Sequence, residues 1–184
     1  RLRGLEVDLV EFAPHVLPPL EREIAAPVTA ELRRLGIAVH DGIAAQAIEP
    51  GEAHDAVVLS GGRRLDADIV VLSVGARPDT AVFEAAGVAC ERGAMVVDEH
   101  GRTNLSDVYA AGDAVVSVDR VTGIRRPVAL AGPANRAGRQ IADHIVRPER
   151  ARPIPAPIGT AIVRVGALTA AMTGANRAAL DQAG

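Results

Sequence analysis

Lysine and tryptophan are absent from this 184-residue chain, which holds one cysteine, one tyrosine and two phenylalanines. Aromatics at 2% leave too few flat side chains for a platform that stacks single-stranded nucleic acid. A single cysteine excludes an intramolecular disulfide framework and any cysteine-rich metal site. No apolar run approaches the ~18 residues that indicate a membrane span. No Gly-x-Gly occurs anywhere, so the glycine-rich phosphate turn of a dinucleotide fold is not in this stretch. Charge of one sign is also scarce. Twenty basic residues face 23 acidic ones, and a net charge of −3 gives no general attraction for nucleic acid or anionic lipid. The cytosol is the expected compartment.

What is present is globular in composition, with 48% hydrophobic and 23% charged residues. All 20 basic residues are Arg, scattered along the chain. Arg1-Leu2-Arg3-Gly4 reads as the last turn and C′ glycine of a helix, and Leu5/Val7/Leu9 then alternate as in a strand. A helical stretch, Asn176 to Ala183, leads straight to Gly184. The expectation is an internal piece of a longer polypeptide.

Three prolines mark a loop over 12–19. Ile24, Val28, Leu32 and Leu35 predict a helix from Leu20 to Leu35, with a kink or restart at Pro27 and a cap at Gly36. Short strands follow at Ile37–His40, Ala44–Ile48 and Ala56–Leu59, with a hairpin turn at Ser60-Gly61-Gly62-Arg63. Ile69–Val74 is apolar without alternation, as in a strand covered on both faces. A short helix over 79–87, a strand at Met95–Val97 and a strand at Val108–Ala114 come next. Residues 117–128 read as a loop. Gly132-Pro133 opens a helix to Ile145. Prolines 148, 153, 155 and 157 form a linker, followed by a strand at Ile158–Val165 and a helix over 175–183.

Four pieces carry potential chemistry. Glu11 closes the first strand of this chain, and a carboxylate closing the second strand of a dinucleotide fold binds a ribose hydroxyl. A solvated strand end is the commoner explanation of a lone Glu. Gly75-Ala76-Arg77-Pro78 ends the apolar strand, where Gly allows close approach of a ligand or simply makes a turn. In Tyr109-Ala110-Ala111-Gly112-Asp113, small residues leave room beside the backbone and the Asp can accept from a hydroxyl or cap a turn. Leu130-Ala131-Gly132-Pro133-Ala134 starts a helix whose free N–H groups suit an anion or developing negative charge.

Taken in order, Val-Glu-Phe, Ser-Val-Gly-Ala-Arg-Pro-Asp, Tyr-Ala-Ala-Gly-Asp-Ala and Gly-Pro-Ala-Asn-Arg-Ala-Gly-Arg resemble the flavin-dependent pyridine nucleotide–disulfide oxidoreductases. Within them the chain is most similar to the branch of coenzyme A disulfide reductases, NADH oxidases and persulfide reductases. The resemblance spans residues 1 to 184. It implies an α/β fold with parts of two Rossmann-like FAD/NAD(P)-binding domains and the start of an α+β dimerisation domain. Residues 1–78 would be the C-terminal part of the NAD(P)-binding domain, 79–150 the second segment of the FAD-binding domain, and 151–184 the linker and start of the dimerisation domain.

The same resemblance implies roles. Glu11 would hold the adenosine ribose and disfavour a 2′-phosphate, favouring NADH over NADPH. Val74 and Gly75 would line the nicotinamide nucleotide site. Asp113 would bond a ribityl hydroxyl of FAD, with Gly112 allowing close approach. Ala131, Gly132, Pro133 and Ala134 would sit under the flavin's pyrimidine edge. Hydride would pass from NADH to FAD and on to a disulfide, persulfide or oxygen, in a homodimer with no nucleic-acid or membrane partner. A ferredoxin or rubredoxin reductase and a non-catalytic nucleotide-binding module are the alternatives. No catalytic residue and no metal ligand is assigned. The branch's redox cysteine would precede this stretch, since Cys90 does not match it. Residues 1–184 alone are therefore expected to be inactive.

Overall fold

In the computed structural model, local signals set the helices, and each sheet pairs strands that follow one another in the chain. Residues 3–184 are described; the expected helix end at Arg1 and Leu2 lies outside them. The elements in chain order are β1 (Asp8–Glu11), α1 (Arg22–Arg34), β2 (Ala38–Asp41), β3 (Ala45–Glu49), β4 (Asp55–Leu59), β5 (Arg64–Ala67), α2 (Ala81–Ala85), β6 (Cys90–Glu91), β7 (Ala94–Met95), β8 (Val116–Val118), β9 (Arg125–Pro127), α3 (Ala131–Val146), a 3-10 turn at Pro148–Arg150, β10 (Ala161–Val165), β11 (Leu168–Met172) and α4 (Arg177–Ala183). The chain forms two compact units, residues 1–74 with 161–172, and residues 75–160 with 173–184.

In the first unit, α1 runs through Pro27 without restarting. It ends where the sequence places its cap. Gly36 takes φ +80°, its N–H donates to Arg33 O, and Ile37 N–H donates to Leu32 O at 3.1 Å. That double bond is a Schellman closure, which needs a residue free to enter the left-handed region. The chain then returns as β2, parallel to β1, with Glu11 in register with Asp41. Val16, Val28 and Leu32 form the buried cluster under this βαβ unit, joined by Leu9, Ile37, Val39, Val165 and Ala170. A three-stranded antiparallel sheet, β3-β4-β5, follows. Its second turn is the expected hairpin, with Gly61 at φ +91° and Gly62 at +82°. The β10–β11 hairpin belongs to this unit too. Sequence reading found β10 and missed its partner, because Leu168–Met172 is a mixed polar and small-residue stretch.

The expected strand at Ile69–Val74 forms no ladder among the described residues. Ile69, Val71, Leu72 and Val74 are 78%, 79%, 69% and 88% exposed. Its apolar character is real, but no strand among the described residues lies beside it to complete a ladder.

In the second unit, Val88, Met95, Ala110 and Val115 form the core, with Cys90, Val97, Leu105 and Ala114 packed against them. The expected strand at Val108–Ala114 is reduced to a single bridge, Tyr109 to Arg102, beside one between Met95 and Val115. The expected loop over 117–128 is instead largely a hairpin, β8–β9. Asp119, 2% exposed, organises its turn by accepting from Val121 N–H and Thr122 N–H and from Arg126 Nη2, each at 3.0 Å. Donation from the Thr122 amide, with Val121 and Arg126, holds this carboxyl below the usual range against the opposing effect of burial. α4 is capped by Asn176, whose side chain accepts from Ala179 N–H at 2.8 Å.

Candidate functional site

Two groups of residues form, one in each unit. The first lies at the C-terminal edge of the parallel pair β1–β2. Glu11 is half-buried there, and its Oε1 accepts from Ala13 N–H at 2.8 Å. The Glu11 carbonyl accepts from Ile43 N–H at 3.2 Å, and the Ala13 carbonyl from Gly42 N–H at 2.8 Å. These bonds fix the turn that leaves the strand, and Oε2 of Glu11 has no hydrogen-bond partner among the described residues. Asp41, the register partner of Glu11, brings a second carboxylate to the same edge. Sequence reading missed Asp41, since only strand pairing places it 30 positions away beside Glu11. It also missed Phe12, which is 78% exposed on the turn after Glu11. Val74, in the same unit, lies on the exposed apolar segment.

The second group is in the other unit. Gly75 follows there, at φ +88° with open space where a Cβ would stand. Gly112 takes φ +92°, and a Cβ built on it would meet the Ala134 Cβ at 4.0 Å. The Gly112-Asp113 turn therefore abuts the first turn of α3. Asp113 is exposed, and its carboxylate has no partner among the described residues. At the start of α3, Leu130 is extended and offers no side-chain cap. The Ala131 and Gly132 N–H groups have no acceptor among the described residues, Pro133 has no N–H, and Ala134 N–H closes the turn on Leu130 O at 3.2 Å. A cavity of about 410 Å³ opens beside this helix start, walled by the proline-rich stretch 154–160 and by Arg120 and Arg136. The open N–H groups, the helix dipole and two guanidinium groups all favour negative charge there.

The other singled-out residues have ordinary partners. Cys90 is half-buried beside Val88 and Met95. His15 Nδ1 donates to Val16 O at 3.0 Å, His40 Nε2 to Asp8 Oδ1 at 2.6 Å, and His54 Nδ1 to Asp68 Oδ1 at 2.7 Å. His100 and His144 stack at 4.6 Å. No cluster of three or more His, Cys, Asp or Glu side chains that could hold a metal exists among the described residues. No helix among them is long and apolar enough to cross a membrane.

The fold is that of the FAD/NAD(P)-binding oxidoreductases of the Rossmann type. More specifically, residues 1–138 match the family model for pyridine nucleotide-disulphide oxidoreductase, and the chain belongs to that family. It is similar to the reduced CoADR-RHD of Bacillus anthracis, with 34% identity and a TM-score of 0.91 over 98% of this chain and 32% of that one. It is also similar to an NAD-dependent persulfide reductase from A. fulgidus, with 32% identity and a TM-score of 0.91 over 97% of this chain and 33% of that one. Among curated relatives, the NADH oxidase of Methanocaldococcus jannaschii is 35% identical over 67% of this chain and 28% of that protein. The ferredoxin reductase component of the Cupriavidus sp. chlorobenzene dioxygenase is 36% identical over 62% of this chain and 28% of that protein. The chain thus spans about a third or less of the length of these relatives.

Proposed function

We propose that the full-length protein passes a hydride from NADH to FAD and the electrons on to a disulfide, persulfide or oxygen, with this chain supplying parts of both nucleotide sites. The observation that carries the reading is the Gly112-Asp113 turn packed against the uncapped start of α3. It puts a free carboxylate, a side-chain-free surface and two unsatisfied N–H groups in one place. Those groups suit FAD, which has ribityl hydroxyls to donate and a pyrimidine edge to accept. When bound, FAD supplies the hydride and electron transfer itself.

The residues here bind and orient. Asp113 accepts from a ribityl hydroxyl, and Gly112 lets that chain lie against the backbone. Ala131 and Gly132 N–H groups face the pyrimidine edge, with Pro133 and Ala134 shaping the turn. Val74 and Gly75 line the nicotinamide nucleotide. Glu11 accepts from the adenosine ribose through Oε2, which has no partner among the described residues. Asp41 at the same edge adds repulsion toward a 2′-phosphate, so NADH is favoured over NADPH. In this reading residues 1–78, 79–150 and 151–184 are the back of the NAD(P) domain, the returning segment of the FAD domain and the start of a dimerisation domain. The protein works as a cytoplasmic homodimer.

A second reading has the electrons pass to a ferredoxin, and the likeness to the dioxygenase reductase component favours it. One experiment tests both. The full-length protein is expressed, its visible flavin band recorded, and the bleaching of that band followed under argon with NADH and with NADPH. A yellow protein bleached faster by NADH is expected. Reoxidation by coenzyme A disulfide, persulfide, oxygen or ferredoxin then sorts the acceptors. A colourless protein that takes up no added FAD overturns the proposal.

A further inference from the structure

We propose that the stacked rings of His100 and His144, with Tyr109 bonded to His144, form a proton-sensitive clasp. It ties the C-terminal end of α3 to the segment that leads into Gly112-Asp113, and it opens when both rings carry charge, loosening the hold on flavin. All of these residues lie in the second unit. The effect on flavin rests on the FAD reading above; the clasp itself does not. The two rings stack at 4.6 Å with 25° between their planes. Tyr109 Oη is hydrogen-bonded to His144 Nδ1 at 3.1 Å. The backbone beneath them is fixed, since Ala110 N–H donates to Gly101 O at 2.9 Å. A Cβ built on Gly101 would stand 2.6 Å from Ile141 Cδ1, so the glycine lets this loop lie directly on α3, and His100 beside it reaches His144.

One charge suits this group and two do not. His144 is in the last turn of α3, where the helix dipole favours a positive side chain. His100 is different. Its side chain is 18% exposed, and its Nδ1 is buried with no hydrogen-bond partner among the described residues. A neutral ring can carry its hydrogen on Nε2 and leave Nδ1 as an acceptor. A charged ring must hold an N–H at Nδ1 with nothing to receive it. The second charge would also stand against the first at stacking distance, where like charges repel. The charged neighbours do not relieve this. Asp98 pairs with Arg102 at 2.7 Å, Asp143 with Arg147 at 3.8 Å and Glu149 with Arg150 at 4.0 Å. Glu99 Oε1 lies 3.6 Å from His100 Nε2, but the Glu99 side chain is 72% exposed and its effect is screened by water. Opening the clasp removes both penalties, so the open form binds more protons and acid favours it. Tyr109 is then released from α3, and Tyr109 precedes Gly112-Asp113 on the same short segment.

The test is amide hydrogen exchange on the flavin-loaded full-length protein, with loss of flavin followed on the same samples by filtration. Exchange is expressed as protection, which removes the direct effect of pH on the exchange chemistry. Between about pH 7.5 and 5.5, where histidine changes charge, protection over 109–112 and 141–146 is expected to fall about tenfold and flavin loss to quicken. H100F keeps a flat ring against His144 and takes no proton, so both effects should vanish. H100N, which also takes no proton, should behave alike. A thermal midpoint near wild type at the higher pH shows that each variant is folded. Wild-type protection that stays within about twofold across the range overturns the proposal. An equal fall in H100F and H100N puts the titrating group elsewhere and overturns it too. Falling protection with unchanged flavin loss overturns the link to the Gly112-Asp113 turn. If the wild-type protein takes up no flavin, the FAD reading falls, while exchange on the flavin-free full-length protein still decides the clasp.

Discussion

Glu31 sits on α1 at 7% exposure and receives three hydrogen bonds: Arg34 Nε at 2.6 Å, Arg34 Nη2 at 2.7 Å and the Ala167 N–H at 3.0 Å. The Arg34 bonds foremost, then the Ala167 amide, lower its pKa from 4.5 to about 2. A carboxylate depressed in the folded state adds stability above its unfolded value, and that stability is lost as pH falls through the folded value. Glu31→Gln is therefore expected to destabilise the protein at pH 7 and to flatten the fall in stability between about pH 4.5 and 2. Thermal midpoints across that range check it, and parallel wild-type and variant curves would refute it. A second residue-scale expectation concerns Glu11. Glu11→Gln removes the charge that repels a 2′-phosphate, so the preference for NADH over NADPH should drop by about tenfold, the effect of roughly one charged hydrogen bond. The ratio of flavin reduction rates by the two nucleotides measures it. Of the proposed site, Glu11, Gly112 and Asp113 could be singled out in sequence because each follows an apolar stretch at a chain reversal. Asp41 could not, since nothing local marks it.

Elements whose signals are local stand where the sequence puts them. α1 and α2 both stop two residues before a glycine, Gly36 and Gly87, and in each the residue after the glycine bonds back into the last turn. The glycine and the apolar spacing suffice to forecast that. Strand pairing is different. β11 exists because it closes on β10 and both lie against α1, with Val165 and Ala170 joining that core. The tip of this hairpin is tight. Gly166 has φ +55°, and a Cβ on it would run into Glu31 Oε1 and meet Leu35 Cδ1 at 3.0 Å. Gly166→Ala thus forces a left-handed residue and displaces the carboxylate that holds Ala167. A loss of about 1–3 kcal/mol is expected, as for overpacking a core site, read from the denaturation midpoint. At α4, Asn176→Ala removes the acceptor for Ala179 N–H, and a loss of about 1 kcal/mol with fraying of that helix should follow, visible as faster amide exchange.

For the whole molecule, the informative surface is the apolar run Ile69–Val74, which is largely exposed. An unpaired, exposed apolar segment of this kind is an association hazard. The isolated 184-residue chain is expected to bind a hydrophobic dye strongly and to sediment as a mixture of species, whereas the full-length protein should do neither. Replacing Val71 by Glu should reduce dye binding by the isolated chain. Equal dye binding by the isolated chain and the full-length protein would show that the segment stays uncovered in both.

Composition, the caps at Gly36 and Gly87, the hairpin turn at Gly61-Gly62 and the order of four motifs were readable in one dimension, because each depends on residues a few positions apart. That was enough for an α/β chain and for the family. The strand ladders were not readable, because an apolar run such as Ile69–Val74 states a preference for burial and leaves its partner unnamed. Nor was the joining of Gly112 to the start of α3, or of Asp41 to Glu11, since contacts between residues 20 to 30 positions apart exist only once the intervening chain has folded back.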